Sequence, residues 1–167
     1  MSLTSIISTK YNLHQVGLND LGSILFDVNK QYTDTMATGT GDNQADLAFA
    51  DTRTLAASAT EDLDLAGSLV DALGDTLTFV DVKAIYIRAA AANTNNVEVT
   101  PAAANGFEGP FADAIDQVDI PPGGSFQVTA PVDGWAVTAG TGDLITITNS
   151  GAGTGVTYDV IIVGTSA

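Results

Sequence analysis

From about residue 77 to the C-terminus, apolar and polar residues alternate over short stretches, and Gly, Pro, Asn and Asp punctuate them. That alternation is the period of half-buried strands. "LTFVDVKAIYIRA" (77–89) is apolar on both faces, which predicts a strand in the middle of a sheet. After the turn "AAANTN", the stretch "NNVEVT" alternates Val97 and Val99 against Glu98 and Thr100. "QVDI" alternates again and stops at Pro121-Pro122-Gly123-Gly124, a firm breaker. "SFQVTA" points Phe126 and Val128 one way and Ser125, Gln127 and Thr129 the other. "GWAVTA" and "LITITN" are two more strands, with "GTGD" turning between them. Residues 158–163 are again apolar on both faces, so they and 82–87 are predicted to lie centrally and to pair.

Strands this short and close together leave no room for the amphipathic helices of an α/β fold. The pattern predicts an all-β chain, a jelly-roll-like two-sheet β-sandwich of about eight strands. Its expected core holds Val82, Ile85, Val97, Val99, Val118 and Ile120, with Phe126, Val128, Ile145, Ile147, Val160 and Ile162. The connection "PAAANGFEGPFADAID" is irregular, and Phe107, Pro110 and Phe111 are expected to cover one end of that core.

The first third is patterned differently. "SILFDVNKQYT" has the character of a strand, and "QADLAFAD" and "RTLAAS" read as two more. "EDLDLAGSLVDALGD" spaces Leu63, Leu65, Leu69 and Leu73 in a way that permits one or two helical turns, its Asp residues arguing against a long helix. Residues 1–43 read as a less compact N-terminal arm that offers an edge strand, with "SILFD" the candidate for a core strand should the arm be needed for folding, and residues 44–167 as the sandwich domain.

"NSGAGTGVTYDVIIVG" (149–164) places Gly151, Gly153 and Gly155 at alternate positions, near the look of a phosphate loop. A dinucleotide fingerprint is G-x-G-x-x-G and opens a helix, whereas a β-branched strand follows here. The stretch is therefore predicted to be a β-hairpin loop between "LITITN" and "TYDVIIV".

Little else carries chemistry. The chain has one histidine, His14, and no cysteine, so thiol catalysis, disulfides and cysteine-ligated metals are excluded. No serine sits in a G-x-S-x-G elbow. Asp42, Asn43 and Asp46 offer hard oxygen ligands without the spacing of an EF-hand, which leaves a weak surface cation as the strongest metal reading. Trp135, between Gly134 and Ala136, is either a sugar-stacking platform or, more commonly for such a position, a core aromatic. No enzymatic activity and no cofactor are expected.

Charge then narrows the partners. Five basic against twenty acidic residues leave 167 residues with a net charge of −15, and seventeen of the acids are Asp. Such a surface repels phosphates, so no nucleic-acid partner is expected. No apolar run approaches the ~20 residues of a membrane span, and the first residues lack a basic and then apolar leader, so neither a membrane partner nor a secretory signal is expected. The arm carries Lys10, His14 and Lys30, which makes it the least acidic long segment and the candidate contact to an acidic partner.

The pieces "DLDLAGSLVDALGDTLTFVDVKAIYI", "PPGGSFQVTAP" and the terminal "YDVIIVGTSA" resemble a group of small all-β virion proteins of tailed bacteriophages. Over roughly Ala45 to Ala167 the chain is similar to those that decorate or cement the capsid shell. The resemblance implies a structural role on the outer capsid surface of the virion, the major capsid protein as partner, and a homotrimer. Such a trimer is expected to join through weakly charged stretches such as "AAAANTNN" (89–96) and "GTGVTY" (153–158). The alternative is a receptor-binding, carbohydrate-recognising module of a tail or head fibre.

Overall fold

The structure is a computed structural model that describes residues 2–167. None of them is helical and 56% of the chain lies in strands. Two long strands come first, β1 (Ser5–Asn19) and β2 (Gly22–Thr38), then the two-residue β3 (Gln44–Ala45). The others are β4 (Leu47–Leu55), β5 (Thr60–Asp64), β6 (Asp81–Ala89), β7 (Val97–Pro101), β8 (Val118–Ile120), β9 (Ser125–Thr129), β10 (Trp135–Ala136), β11 (Leu144–Asn149) and β12 (Val156–Thr165).

Two sheets face each other. The first runs β4-β12-β6, with β9 and β10 sharing the far side of β6; the second runs β5-β11-β7-β8. Pairing is nested: β4 with β12, β5 with β11, β6 with β9 and β7 with β8, each antiparallel. The second half of the chain therefore lies back along the first, as though one long hairpin had been wound into two sheets.

The core between the sheets is where alternation placed it. Val82, Ile85, Val97, Val99, Ile120, Ile145, Ile147, Val160 and Ile162 are buried in it, and Val118, Phe126 and Val128 pack against it. Each fully buried aliphatic side chain contributes about 1.5–3 kcal/mol. As predicted, 82–87 and 158–163 are adjacent, Ile85 opposite Ile162 and Ile87 opposite Val160. Their second apolar face has its own cover. Ala84 and Val163 point away from the main core and pack against Met36 and Ala45.

Several local expectations are corrected. The glycine-rich loop 150–155 does not close a hairpin, because β11 and β12 lie in different sheets, so it carries the chain from one layer to the other. Gly153 takes a positive φ of 99° there, and a Cβ on Gly155 would stand 2.8 Å from the Leu55 carbonyl oxygen. "LAFADTRTL" is one continuous strand, β4, where two were expected. The leucine-spaced segment forms β5 and then turns, not helix. Leu63, Leu65 and Leu69 are buried because they plug one end of the sandwich, whereas Leu73 is exposed. Residues 77–80 lie outside β6, with Leu77 and Phe79 buried in that same end. Only Trp135 and Ala136 of "GWAVTA" are strand, pairing with Val82 and Asp81.

Candidate interaction surface

β1 and β2 pair without interruption from Ser5↔Met36 out to Asn19↔Gly22. Directly opposed residues of an antiparallel ladder share a face, and faces alternate along each strand. One face of this hairpin therefore carries Tyr11, Leu13, Ile24, Phe26, Val28 and Tyr32. The other carries Lys10, Asn12, His14, Asp27, Asn29 and Gln31, with Val16, Leu18 and Leu25 beyond them toward the tip, so over the rows from Lys10 to His14 the ribbon has an apolar side and a polar side.

The base of the apolar side is docked. Met36 is completely buried against Ala45, Ala84 and Val163, with Leu3 and Ile7 packed beside it. Gln127 Nε2 donates to Thr9 Oγ1 at 3.1 Å, and Thr129 Oγ1 donates to Asp34 Oδ2 at 3.0 Å. Both donors belong to β9, so the arm leaves the sandwich over the outer face of the first sheet. Farther out, from Asn12 to Lys30, every side chain described is exposed except the half-buried Val28. Phe26 is 57% exposed and Tyr32, three rows nearer the base on the same face, 64%.

The three candidate contact residues fall on both sides. Lys10 lies opposite Gln31 and His14 opposite Asp27, on the polar face; Lys30 lies opposite Tyr11, on the apolar one. His14 Nδ1 is 3.7 Å from Asp27 Oδ1, and both side chains are exposed. The structure thus brings Lys10 and His14 to one surface and sets Lys30 apart from them.

Charge is divided just as unevenly. Residues 1–43 hold two of the five basic and four of the twenty acidic residues, so thirteen of the fifteen net negative charges lie on the sandwich. Two of the sandwich's three basic residues are held internally. Lys83 is buried, with Nζ donating to the Val132 carbonyl at 2.6 Å, and Arg53 binds Glu61 and lies 5.6 Å from the Phe49 ring centroid. Glu61 also accepts from the buried Tyr158 hydroxyl at 2.8 Å. Burial, and then Glu61, push the Tyr158 phenol well above its usual range; burial opposes the Arg53 charge, but Glu61 outweighs it. This cluster ties the two sheets together.

Compared with known proteins, the chain matches no family model, no curated protein and no solved structure.

The remaining candidates have structural partners. Asp46 accepts from Ser166 N at 2.8 Å and Ser166 Oγ at 2.5 Å, while Asp42 is exposed. Among the described residues, no three His, Asp or Glu side chains are grouped so as to hold a metal ion. Trp135 is half-buried and packs against the main core. A depression of about 660 Å³ lies open on the outer face of the first sheet, lined by Asp51, Thr52, Tyr86, Arg88, Asp159 and Ile161 among others. Its Thr52 hydroxyl donates to Asp159 at 2.6 Å. The two stretches expected to join copies are hydrogen-bonded to each other within the chain. Asn93 Nδ2 donates to the Thr157 carbonyl and Asn93 Oδ1 accepts from Thr157 N, both at 2.9 Å, and Asn95 Nδ2 donates to the Thr154 carbonyl at 3.2 Å.

Sequence reasoning marked the arm as a contact but did not identify it as a hairpin with two distinct faces. Its signal was present: Tyr11 and Leu13 alternate before Asn19-Asp20-Leu21-Gly22, and Ile24, Phe26, Val28, Lys30 and Tyr32 alternate after it.

Proposed function

We propose that the protein is a non-enzymatic structural protein of a virion, a capsid decoration or cement protein that sits on the outer surface of a phage head and binds the major capsid protein lattice. The observation that carries this reading is the division of labour in the molecule. A sandwich is closed around one apolar core, and one long ribbon projects from it with its distal side chains exposed. That is the build of an attachment module: a rigid, soluble body and an extended contact element. The nested pairing of eight strands supports reading the sandwich as a jelly roll, an architecture common in shell proteins. The resemblance of the strand motifs to phage decoration proteins points the same way.

In this reading the polar side of the ribbon, with Lys10 and His14, meets an acidic shell, and the acidic sandwich faces solvent. A reconstruction of the particle that carries this chain tests it. Density in hundreds of copies over the faces of the shell is the expected result. Density confined to a tail tip or a unique vertex would overturn it and favour a receptor-binding part. Lys10→Glu with His14→Glu is expected to weaken co-sedimentation with shells at least tenfold at low salt.

A further inference from the structure

We propose that the apolar side of the distal hairpin binds the same side of the hairpin in a second copy of this chain, so that the arm is the element through which copies join. This does not depend on the virion reading. An isolated two-stranded ribbon is marginal in water, and this one leaves Tyr11, Leu13, Ile24, Phe26 and Tyr32 more than half exposed on one side. With the half-buried Val28 among them, they form one contiguous apolar strip, a substantial part of the ~800 Å² that each partner contributes to a stable interface. The surface is also continuous with packing already made, since its base row, through Met36 and Ile7, is seated on the sandwich.

Charge selects the occupant. Each sandwich carries thirteen net negative charges, so copies meeting body to body repel. Between Lys10 and Tyr32 the arm holds Lys10, Lys30, Asp20 and Asp27, and is net neutral. The ribbon extends about 30 Å beyond its last bond to the sandwich, at ~3.3 Å per residue, several times the ~8 Å screening length of physiological salt. The arms are thus where two copies can bury apolar area with their bodies held apart. Lys30 lies beside Tyr11 on this side, so a second copy's tyrosine rings offer it a cation–π contact. A symmetric patch facing itself is the simplest arrangement for a homo-oligomer.

The experiment is sedimentation velocity on the full chain at 5–100 µM, a range set at about the affinity expected of such an interface, with cross-linking alongside. The expected result is a concentration-dependent oligomer that becomes monomeric in Leu13→Asp/Phe26→Asp and persists in Asn29→Asp/Gln31→Asp, which adds equal charge to the polar side. Because the chain has no cysteine, Leu13→Cys should oxidise to an inter-chain disulfide and Asn29→Cys should not. Unchanged circular dichroism and melting of the sandwich guard against misfolding. A wild-type chain that stays monomeric across the range overturns the proposal, whether or not it binds phosphatidylcholine vesicles through the apolar tip. So does an oligomer that survives Leu13→Asp/Phe26→Asp, because its interface must lie elsewhere.

Discussion

Tyr158, on the central strand of one sheet, donates its phenolic hydrogen to Glu61, on the edge strand of the other, at 2.8 Å. Arg53, directly opposite Tyr158 on β4, closes the cluster by binding the second carboxylate oxygen. An acid pointing between two sheets is stable only when both its oxygens are engaged. Tyr158→Phe removes one donor and leaves the ion pair, so a loss of about 1 kcal/mol is expected in urea melts. Glu61→Ala removes the main partner of a half-buried guanidinium that keeps Asp51 at 3.2 Å, and should cost about 2 kcal/mol. Equal losses for the two variants would mean that the ion pair contributes nothing beyond the hydrogen bond.

Asn149 holds the crossing between the sheets. Its amide donates to the carbonyls of Ala56 at 2.9 Å and Thr154 at 2.8 Å, while its oxygen accepts from Asn95 Nδ2 at 3.0 Å and Gly151 N at 3.2 Å. Asn149→Asp keeps the shape and puts a carboxylate against two carbonyls. It should cost about 3 kcal/mol near neutral pH and less at pH low enough to protonate the new acid, measured by thermal melts across pH.

These two clusters mark how far the sequence was legible. Most strands of the sandwich, β4 and β5 excepted, and its expected core residues could be read from alternation, because a half-buried strand writes its burial into every second residue. The central pair could be read from Ile85, Ile87, Val160 and Ile162, apolar beside neighbours that are also apolar. What covers the second face could not be read: Met36 lies 48 residues from Ala84 and gives no local sign that it will cap it. The hairpin expected at 149–155 failed for a related reason. Glycine reports that a chain turns, but not whether the next strand joins the same sheet or the opposite one. Glu61 read as one more solvated acid, since its partners come from β4 and β12 and meet it only after both sheets form.

Glu98 and Asp119 face each other across β7 and β8. Burial first, and then the Asp119 charge, raise the Glu98 carboxyl above the usual glutamate range. The folded state therefore holds that proton more tightly than the unfolded chain does. The group's contribution to stability grows as pH falls through the raised value and is lost as pH rises above it. Glu98→Gln should stabilise the protein by about 0.5 kcal/mol at pH 7, and the gain should shrink as pH falls into the carboxyl range. Parallel melts of the two proteins from pH 7 to pH 4 (about the ordinary carboxyl value) check this, and a gain that grows toward low pH would reverse the sign argued here.

The arm should be separable from the stability of the sandwich at one particular row. Thr9 and Tyr32 are directly opposed, so replacing residues 10–31 by Asn-Gly joins them through a two-residue turn that suits an antiparallel pair. None of the removed side chains belongs to either buried cluster, and the bonds from Gln127 to Thr9 and from Thr129 to Asp34 are kept. The shortened chain should melt within about 2 °C of the full one, since surface changes away from packed groups stay near ±0.5 kcal/mol. Met36→Ala in the full chain removes three side-chain atoms from a fully buried site and should cost about 2–3 kcal/mol. Amide exchange should then report opening first at residues 33–38 and 81–84, where the base of the arm meets the sheet. If the shortened chain melts as low as Met36→Ala, the distal ribbon supports the sandwich after all, and the boundary between body and arm must be drawn farther out than Thr9.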